Sequence, residues 1–397
     1  MPGIVKTNIA LVCPDDLSVV LFCKGIIEEL RAGTQSELYV ISDIYGENTG
    51  GYYSDIIKSW GVHHIPLKMD RHIAPVADMK YTVNLYRIFK KLRINIVVNI
   101  STKPNIYGSI AAKLAGINKC LCSVWGRGTA FLEENGFKGN MLRIVLSGLY
   151  SISFRLSSKV WFTNINDYNY FIAHNTVPRQ KTILTKNYVN SDDYNPDPLP
   201  YEKLVFLRNE LKLNARNKIV IMVGRMIWAK GVGEFIEASK ILADKMPDVK
   251  FILVGPEERR SPDAIPVKFL EEAGKSGNFR WLGFRKDVKD LYSISDLAVL
   301  PSYYKEGGYP RALTEPMAME KPVIAADSED CRNPVEHGKN GYLIPVKDPR
   351  ALAEAIESIM RDDNMREQFG RYSRLKVQRE YDEKVIVKSV IDEFLKN

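Results

Sequence analysis

DLAVLPSYYKEGGYPRALTEPMAMEKPVIAAD, from Asp296 to Asp327, holds a complete structural unit in one reading. Leu297–Leu300 is a short, uninterrupted apolar run. A glycine-containing loop follows, and a second apolar run closes the stretch at Pro322–Ala325. Apolar runs of this length without alternation are strands buried on both faces, as in parallel sheets covered by helices. The residues between them are expected to form that covering helix. Pro316 is tolerated only near a helix start, where backbone N–H groups have no intrahelical partner. The helix is therefore expected to begin around Arg311–Leu313. Two acids, Glu306 in the loop and Glu315 one turn into the helix, bracket Gly307, Gly308 and Arg311.

The same strand–loop–helix alternation extends in both directions. Further strands are expected at Ile219–Val223, Lys250–Val254, Phe279–Leu282 and Gly341–Ile344. In the first half they fall at Ile9–Cys13, Leu38–Ser42, Ile96–Ile100, Lys119–Ser123, Val160–Thr163 and Thr182–Leu184. Helices are expected between them, including Val19–Leu30, Ala77–Leu92, Glu234–Lys245, Val288–Ile294 and Arg350–Met360. SDDYNPDPLPYEKL, with three prolines and four acids, is the linker candidate. The expected architecture is α/β, with two Rossmann-like domains facing across a cleft. Residues 1–195 and 196–380 form the domains, and an amphipathic helix in 381–397 packs back on either one.

The 397 residues suffice for two domains with sizeable cores. A net charge of +8 favours anionic partners such as nucleotide phosphates or lipid head groups. No recognition motif for nucleic acid accompanies that charge. The five cysteines, Cys13, Cys23, Cys120, Cys122 and Cys331, form no C-x-x-C pair and read as small core residues of a reducing compartment. No apolar run approaches the ~20 residues of a membrane span. A cytoplasmic protein is expected.

In open α/β sheets ligands bind beyond the carboxyl ends of the strands, so the loops after strands carry the chemistry. After KIVIMV comes GRMIWAKGVGEF. Gly224 allows a tight exit, and Arg225 and Lys230 place two cations where a departing diphosphate can be neutralised without a metal. The alternative is two solvated surface cations. Gly255 permits close approach by a backbone or ligand. The turn at Gly283 and Phe284 can face a flat base, and Asp287 reads as a helix N-cap. The amides near Arg311 and Ala312 suit a phosphate. Glu315 suits a vicinal diol such as a ribose, and Glu306 a sugar whose hydroxyls also meet the amides of Gly307 and Gly308. Read blandly, Glu315 complements the helix dipole and Glu306 is a solvated loop acid.

EGGYPRALTEPMAMEKPVIAAD, the later NGYLIPV and the GRMIWAKG loop resemble glycosyltransferase family 4, whose signature is E-G-x-x-x-x-x-x-E, A-M-A-x-G-K-P-V-I and N-G-x-L-V-P. The resemblance spans most of Ile219–Ala353. It implies a GT-B fold, a nucleotide-sugar donor, retention of anomeric configuration and no divalent metal. It assigns Arg225 and Lys230 to the donor diphosphate, Glu306 to the transferred sugar, Glu315 to the ribose and the backbone near Phe284 to the base. The family pattern has seven residues between its glutamates where this chain has eight. The extra residue falls at Gly307–Gly308, which loosens the placement of Glu306 and leaves that of Glu315 intact.

The N-terminal half resembles the branch that builds bacterial capsule, O-antigen and lipid-linked oligosaccharides. A UDP-sugar, of an N-acetylhexosamine kind, and a polyprenyl-diphosphate-linked saccharide are the implied substrates. Many members contact the sugar with a histidine where this chain has Trp125 and Gly126, so no side-chain base is assigned. Arg71, His72 and Lys103 are candidates on the acceptor side. FKGNMLRIVLSGLYSISFRLSSKVWF interleaves apolar residues with Lys138, Arg143, Arg155 and Lys159, as either a core helix or one resting on an anionic leaflet. A synthase with a soluble acceptor and a non-catalytic nucleotide-sugar binder are the alternatives.

Overall fold

The computed structural model describes residues 7–32, 36–44, 51–70, 74–126, 137–259, 261–306 and 308–396. The chain forms two compact units, residues 1–186 with 384–397, and residues 187–383.

The first unit is built on seven parallel strands: β1 (Thr7–Asp15), β2 (Ser36–Asp43), β3 (His63–Pro66), β4 (Ile96–Ile100), β5 (Lys119–Val124), β6 (Lys159–Phe162) and β7 (Thr182–Leu184). Their order is β3-β2-β1-β4-β5-β6-β7, so the strand sequence reverses between β1 and β4. Every residue of β4 is buried, as an apolar run at a sheet centre requires. The edge strand β3, HHIP, was not among the expected strands. It is too polar and too exposed to register as an apolar run. Its His64 is held by two hydroxyls, Ser42 Oγ at 2.9 Å and Ser54 Oγ at 2.7 Å. The single helix expected at Val19–Leu30 is two, Asp16–Phe22 and Lys24–Ala32. Asp15 caps the first, accepting from Ser18 N at 2.8 Å, and Cys23 breaks the run at φ −114°.

The second unit carries six parallel strands: β8 (Lys218–Val223), β9 (Val249–Val254), β10 (Phe279–Trp281), β11 (Leu297–Leu300), β12 (Val323–Ala326) and β13 (Gly341–Ile344). The order is β10-β9-β8-β11-β12-β13, with the reversal between β8 and β11. Each of these strands coincides, within one residue at either end, with an expected apolar run. The proline-rich stretch around 195 belongs wholly to this unit rather than dividing the domains. The chain just before it bonds to the residues that follow the distant helix Asp363–Glu380. Val189 N donates to Tyr381 O at 2.9 Å, Glu383 N to Val189 O at 3.0 Å, and Asn190 Nδ2 to Glu383 Oε2 at 2.7 Å. The C-terminal helix Glu383–Lys396 then lies almost entirely in the first unit, where Lys159 reaches Glu393 at 2.8 Å and Lys119 the Leu395 carbonyl at 2.8 Å.

Candidate active site

Strands β8 and β11 are neighbours, and their carboxyl ends flank the reversal of strand order. The loop leaving β8 turns through a single 3-10 turn, Trp228–Lys230, into the helix Val232–Leu242. Asp263 pins this turn, accepting from Ala229 N at 2.8 Å while its carbonyl takes Trp228 N at 3.0 Å. Gly231 closes it at φ +80°, with the Pro301 carbonyl oxygen 2.3 Å from where a Cβ would stand. No other residue fits that contact. The Ala229 carbonyl in turn accepts from the backbone N–H of Tyr303 at 2.9 Å and Tyr304 at 3.0 Å. The two loops are thereby stitched together through backbone.

This stitching sets Lys230 against Glu306 in an almost completely buried ion pair. The second carboxylate oxygen of Glu306 accepts from the buried Ser302 hydroxyl at 2.5 Å. Arg225 and Lys230 both lie over the Tyr304 ring, 5.3 and 5.4 Å from its centroid. Arg225 is half exposed and stands 3.6 Å from Glu258. Cys331 is close by: burial, and then the Glu306 charge, push its thiol up to about 12. The structure therefore brings together three expected residues, Arg225, Lys230 and Glu306. It adds Ser302, Tyr304 and Asp263, which the sequence reading left unassigned. A serine at a strand end is ordinary in sequence, and only the loop's return shows what it touches.

Glu315 belongs to a second cluster. Its helix, Arg311–Ala318, starts at Arg311 as expected, but Pro316 lies beyond the first turn, inside the helix. Pro310 occupies the cap position without a side-chain bond, and its carbonyl accepts from Leu313 N at 2.9 Å and Thr314 N at 3.2 Å. Glu315 is paired with Arg311 Nε at 2.7 Å, and both are mostly buried. Burial opposes the Arg311 charge, but Glu315 and Tyr194 more than offset it and raise its pKa. Burial, then the Glu315 charge, raise the Tyr194 phenol above its ordinary range. The fully buried Tyr292 hydroxyl nearby lacks a hydrogen-bond partner among the described residues. Ala312 is partly buried beside Arg311. Gly308, at φ +112°, offers its carbonyl to Asn333 Nδ2 at 3.4 Å, and Gly307 lies outside the described residues.

One expectation narrows and two change. Gly255 was expected to admit a backbone or a ligand, and it is a backbone that approaches: the Gly224 carbonyl oxygen stands 1.7 Å from its would-be Cβ. Both glycines are consumed in aligning strand ends, Gly224 N donating to Val254 O and Gly255 N to Gly283 O, each at 2.9 Å. Asp287 occupies the cap position of its helix, yet its carboxylate goes to Arg285 at 2.6 and 2.7 Å rather than to the helix amides. Phe284, just before it, is exposed. In the first unit Lys103 does not stand ready for an anion. It pairs with buried Asp78, which also accepts from Tyr107 Oη at 2.9 Å. Trp125 packs edge-on to Phe22 at 5.3 Å, and Gly126 adopts φ +134°. Arg71 and His72 lie outside the described residues. Among the described residues no group of three or more histidines, cysteines or acids is placed to hold a metal.

Residues 206–376 match the family model described as glycosyl transferases group 1, and residues 47–164 the one described as glycosyl transferase 4-like. Curated relatives align over most of their length. The N,N'-diacetylbacillosaminyl-diphospho-undecaprenol alpha-1,3-N-acetylgalactosaminyltransferase of Campylobacter jejuni is 28% identical over 350 residues, 87% of this chain and 89% of that protein. The capsular polysaccharide glycosyltransferase CapM of Staphylococcus aureus is 26% identical over 94% of each chain. The Escherichia coli UDP-Gal:alpha-D-GlcNAc-diphosphoundecaprenol alpha-1,3-galactosyltransferase is 25% identical over 84% of this chain and 82% of its own. Among solved structures, Anabaena HepE in complex with UDP and glucose superposes with a TM-score of 0.75 at 19% identity, covering 98% of this chain and 99% of that one. A Rickettsia africae glycosyltransferase reaches 0.73 at 21% identity, covering 99% and 100%. At these identities the structural likeness is one of fold.

Proposed function

The chain belongs to the group 1 glycosyltransferases, and from that premise we propose that it moves a sugar from a UDP-sugar to a hydroxyl of a polyprenyl-diphosphate-linked saccharide. The observation that carries this reading is the buried Lys230–Glu306–Ser302 arrangement at the carboxyl ends of β8 and β11. Glycosyl transfer from a nucleotide-sugar needs charge compensation at the departing diphosphate and a carboxylate for the sugar. Lys230 supplies a cation that is desolvated and fixed before the donor arrives, which is where electrostatic stabilisation is strongest. Arg225, more exposed, supplies the second. Glu306, with one oxygen on Lys230 and the other on Ser302, is held for the sugar hydroxyls. Glu315, oriented by Arg311, is assigned to the ribose. In this reading the two cations do the work a divalent ion does elsewhere, and the reaction proceeds with retention.

The relatives whose names state an undecaprenyl-diphosphate acceptor support the acceptor class. Among the described residues no helix is long and apolar enough to cross a membrane. The enzyme is proposed to work peripherally, at the inner face of the cell membrane. The test is a thermal-shift screen of UDP-, GDP- and ADP-sugars, followed by mass analysis of lipid extracts incubated with the best donor. A UDP-sugar that stabilises the protein and adds one sugar residue to a lipid-diphosphate species is the expected result. Product formed only on free sugars would replace this acceptor with a soluble one.

A further inference from the structure

The Phe137–Leu156 helix has two unlike apolar faces. Leu146, Tyr150, Ser153 and Phe154 are buried against the first unit. On the other side Met141, Ile144, Val145 and Ile152 stand in solvent, Ile144 with 73% of its surface exposed. Their spacing follows the helical repeat, so they form one stripe, with Gly148 inside it. An outward stripe of a solvated helix is ordinarily polar. Single exposed apolar residues need no explanation, but a contiguous stripe marks a docking surface.

Neighbouring helices extend this surface. Pro75–Lys91 packs on Ser109–Leu114, which packs on Phe137–Leu156, and all three accompany the chain as it steps across the sheet from β3 to β6. Val76, Met79 and Val83 are exposed on the first helix and Leu114 on the second. The exposed charges of the three helices are all positive: Lys80, Arg87, Lys90, Lys91, Lys113 and Arg155. Their one acid, Asp78, is buried and paired with Lys103. Helices of a parallel sheet run against the strands, so the apolar positions near the helix starts lie toward the carboxyl edge of the sheet. Lys90, Lys91, Lys113 and Arg155 lie at the far ends. At that carboxyl edge, just past β4, Thr102 Oγ1 accepts from Tyr150 Oη at 2.9 Å and Lys103 meets Asp78.

We propose that this three-helix face seats the first unit on an anionic bilayer surface. The apolar side chains enter the headgroup layer and the basic ones meet lipid phosphates. A lipid-linked acceptor is then presented at the carboxyl edge of the sheet, where open α/β sheets bind their ligands. The inference rests on the lipid-linked acceptor reading, and its test separates the two.

The full chain is sedimented with vesicles of phosphatidylethanolamine and phosphatidylglycerol, and with vesicles of phosphatidylcholine alone, at low and high salt. Binding to the anionic vesicles that weakens with salt is expected. I144S/V145S and K90Q/K91Q should each weaken it by about tenfold, with unchanged melting temperature and an unchanged thermal shift by UDP. Failure to bind, equal binding to neutral vesicles, or full binding by both variants overturns the proposal. So does a wild-type dimer that I144S/V145S makes monomeric without any vesicle binding, since the stripe then covers a second copy. Transfer to a detergent-dispersed, polyprenyl-diphosphate-linked saccharide is assayed in parallel. Transfer without vesicle binding removes the docking face and leaves the acceptor reading standing. Vesicle binding without transfer does the reverse.

Discussion

At the level of single residues, the charges of the candidate site fall into two clusters, and within the first they differ sharply in exposure. Lys230 is desolvated against Glu306, whereas Arg225 is half in solvent beside Glu258. Lys230→Ala and Arg225→Ala are each expected to reduce kcat by about 10²–10³-fold, as for loss of one preorganised electrostatic group. Steady-state kinetics with saturating UDP-sugar would show it, and near wild-type kcat in both would remove the diphosphate assignment. Glu315→Ala should act differently, raising the donor KM while taking its carboxylate partner from the mostly buried Arg311. Loss of that pair should also lower stability by about 3 kcal/mol, measurable by denaturant unfolding. Lys230, Glu306 and Glu315 stood out because each sits in a loop, or just past the first turn of a helix, after an apolar run. Ser302 was not, because the sequence does not reveal that the loop folds back to set its hydroxyl on an acid four residues on. Asp287 was legible as a cap by position alone, and Arg285, two residues earlier, captures its carboxylate.

Among the elements, the central expected strands owed their legibility to burial on both faces, which leaves an uninterrupted apolar run. β3 escaped for the opposite reason: at the sheet edge it is polar, and His64 is satisfied by serines. The helix Asp363–Glu380 is fastened to the loop before β13 by a polar network that no local pattern announces. Lys376, buried, reaches Glu336 at 2.6 Å, and Tyr372 Oη donates to the same carboxylate at 2.8 Å. The Lys376 contact first, with Tyr372 and Lys339, pulls the Glu336 carboxyl down to about 2 against a desolvation that works the other way. A depressed acid contributes stability that is complete above its unfolded pKa, ~4.5, and disappears as pH falls toward 2. Glu336→Gln should therefore lower the melting temperature at pH 7 and flatten its decline between pH 4.5 and pH 2. Parallel acid-dependence curves for variant and wild type would contradict this.

Over the whole chain, the two-unit α/β plan follows from the repetition of strand, loop and helix, which is why it was legible without any single decisive residue, whereas the GT-B fold was implied by the family resemblance of the loops. The boundary was harder. A proline-rich, acidic stretch has the composition of a linker, but here it is part of the second unit, and the pairing of Val189 with Tyr381 that fixes the boundary joins residues far apart in sequence. The expectation that charge compensation comes from arginine and lysine is a property of the complete enzyme and is tested there. Activity measured with excess EDTA should stay close to that of the untreated enzyme, and complete loss restored by Mg²⁺ or Mn²⁺ would show that the cations do not suffice.

The adjacency of Val189 and Tyr381 also makes the second unit an insertion in the topological sense. Its polypeptide enters and leaves through neighbouring residues, while the first unit is assembled from two stretches far apart in the gene. Residues 187–383 thus form one continuous reading frame with paired ends, the arrangement that tolerates transplantation and circular permutation. The first unit has no such frame. A stop codon after Glu383 spares every residue of the second unit and strips the first of the helix that Lys119 and Lys159 hold.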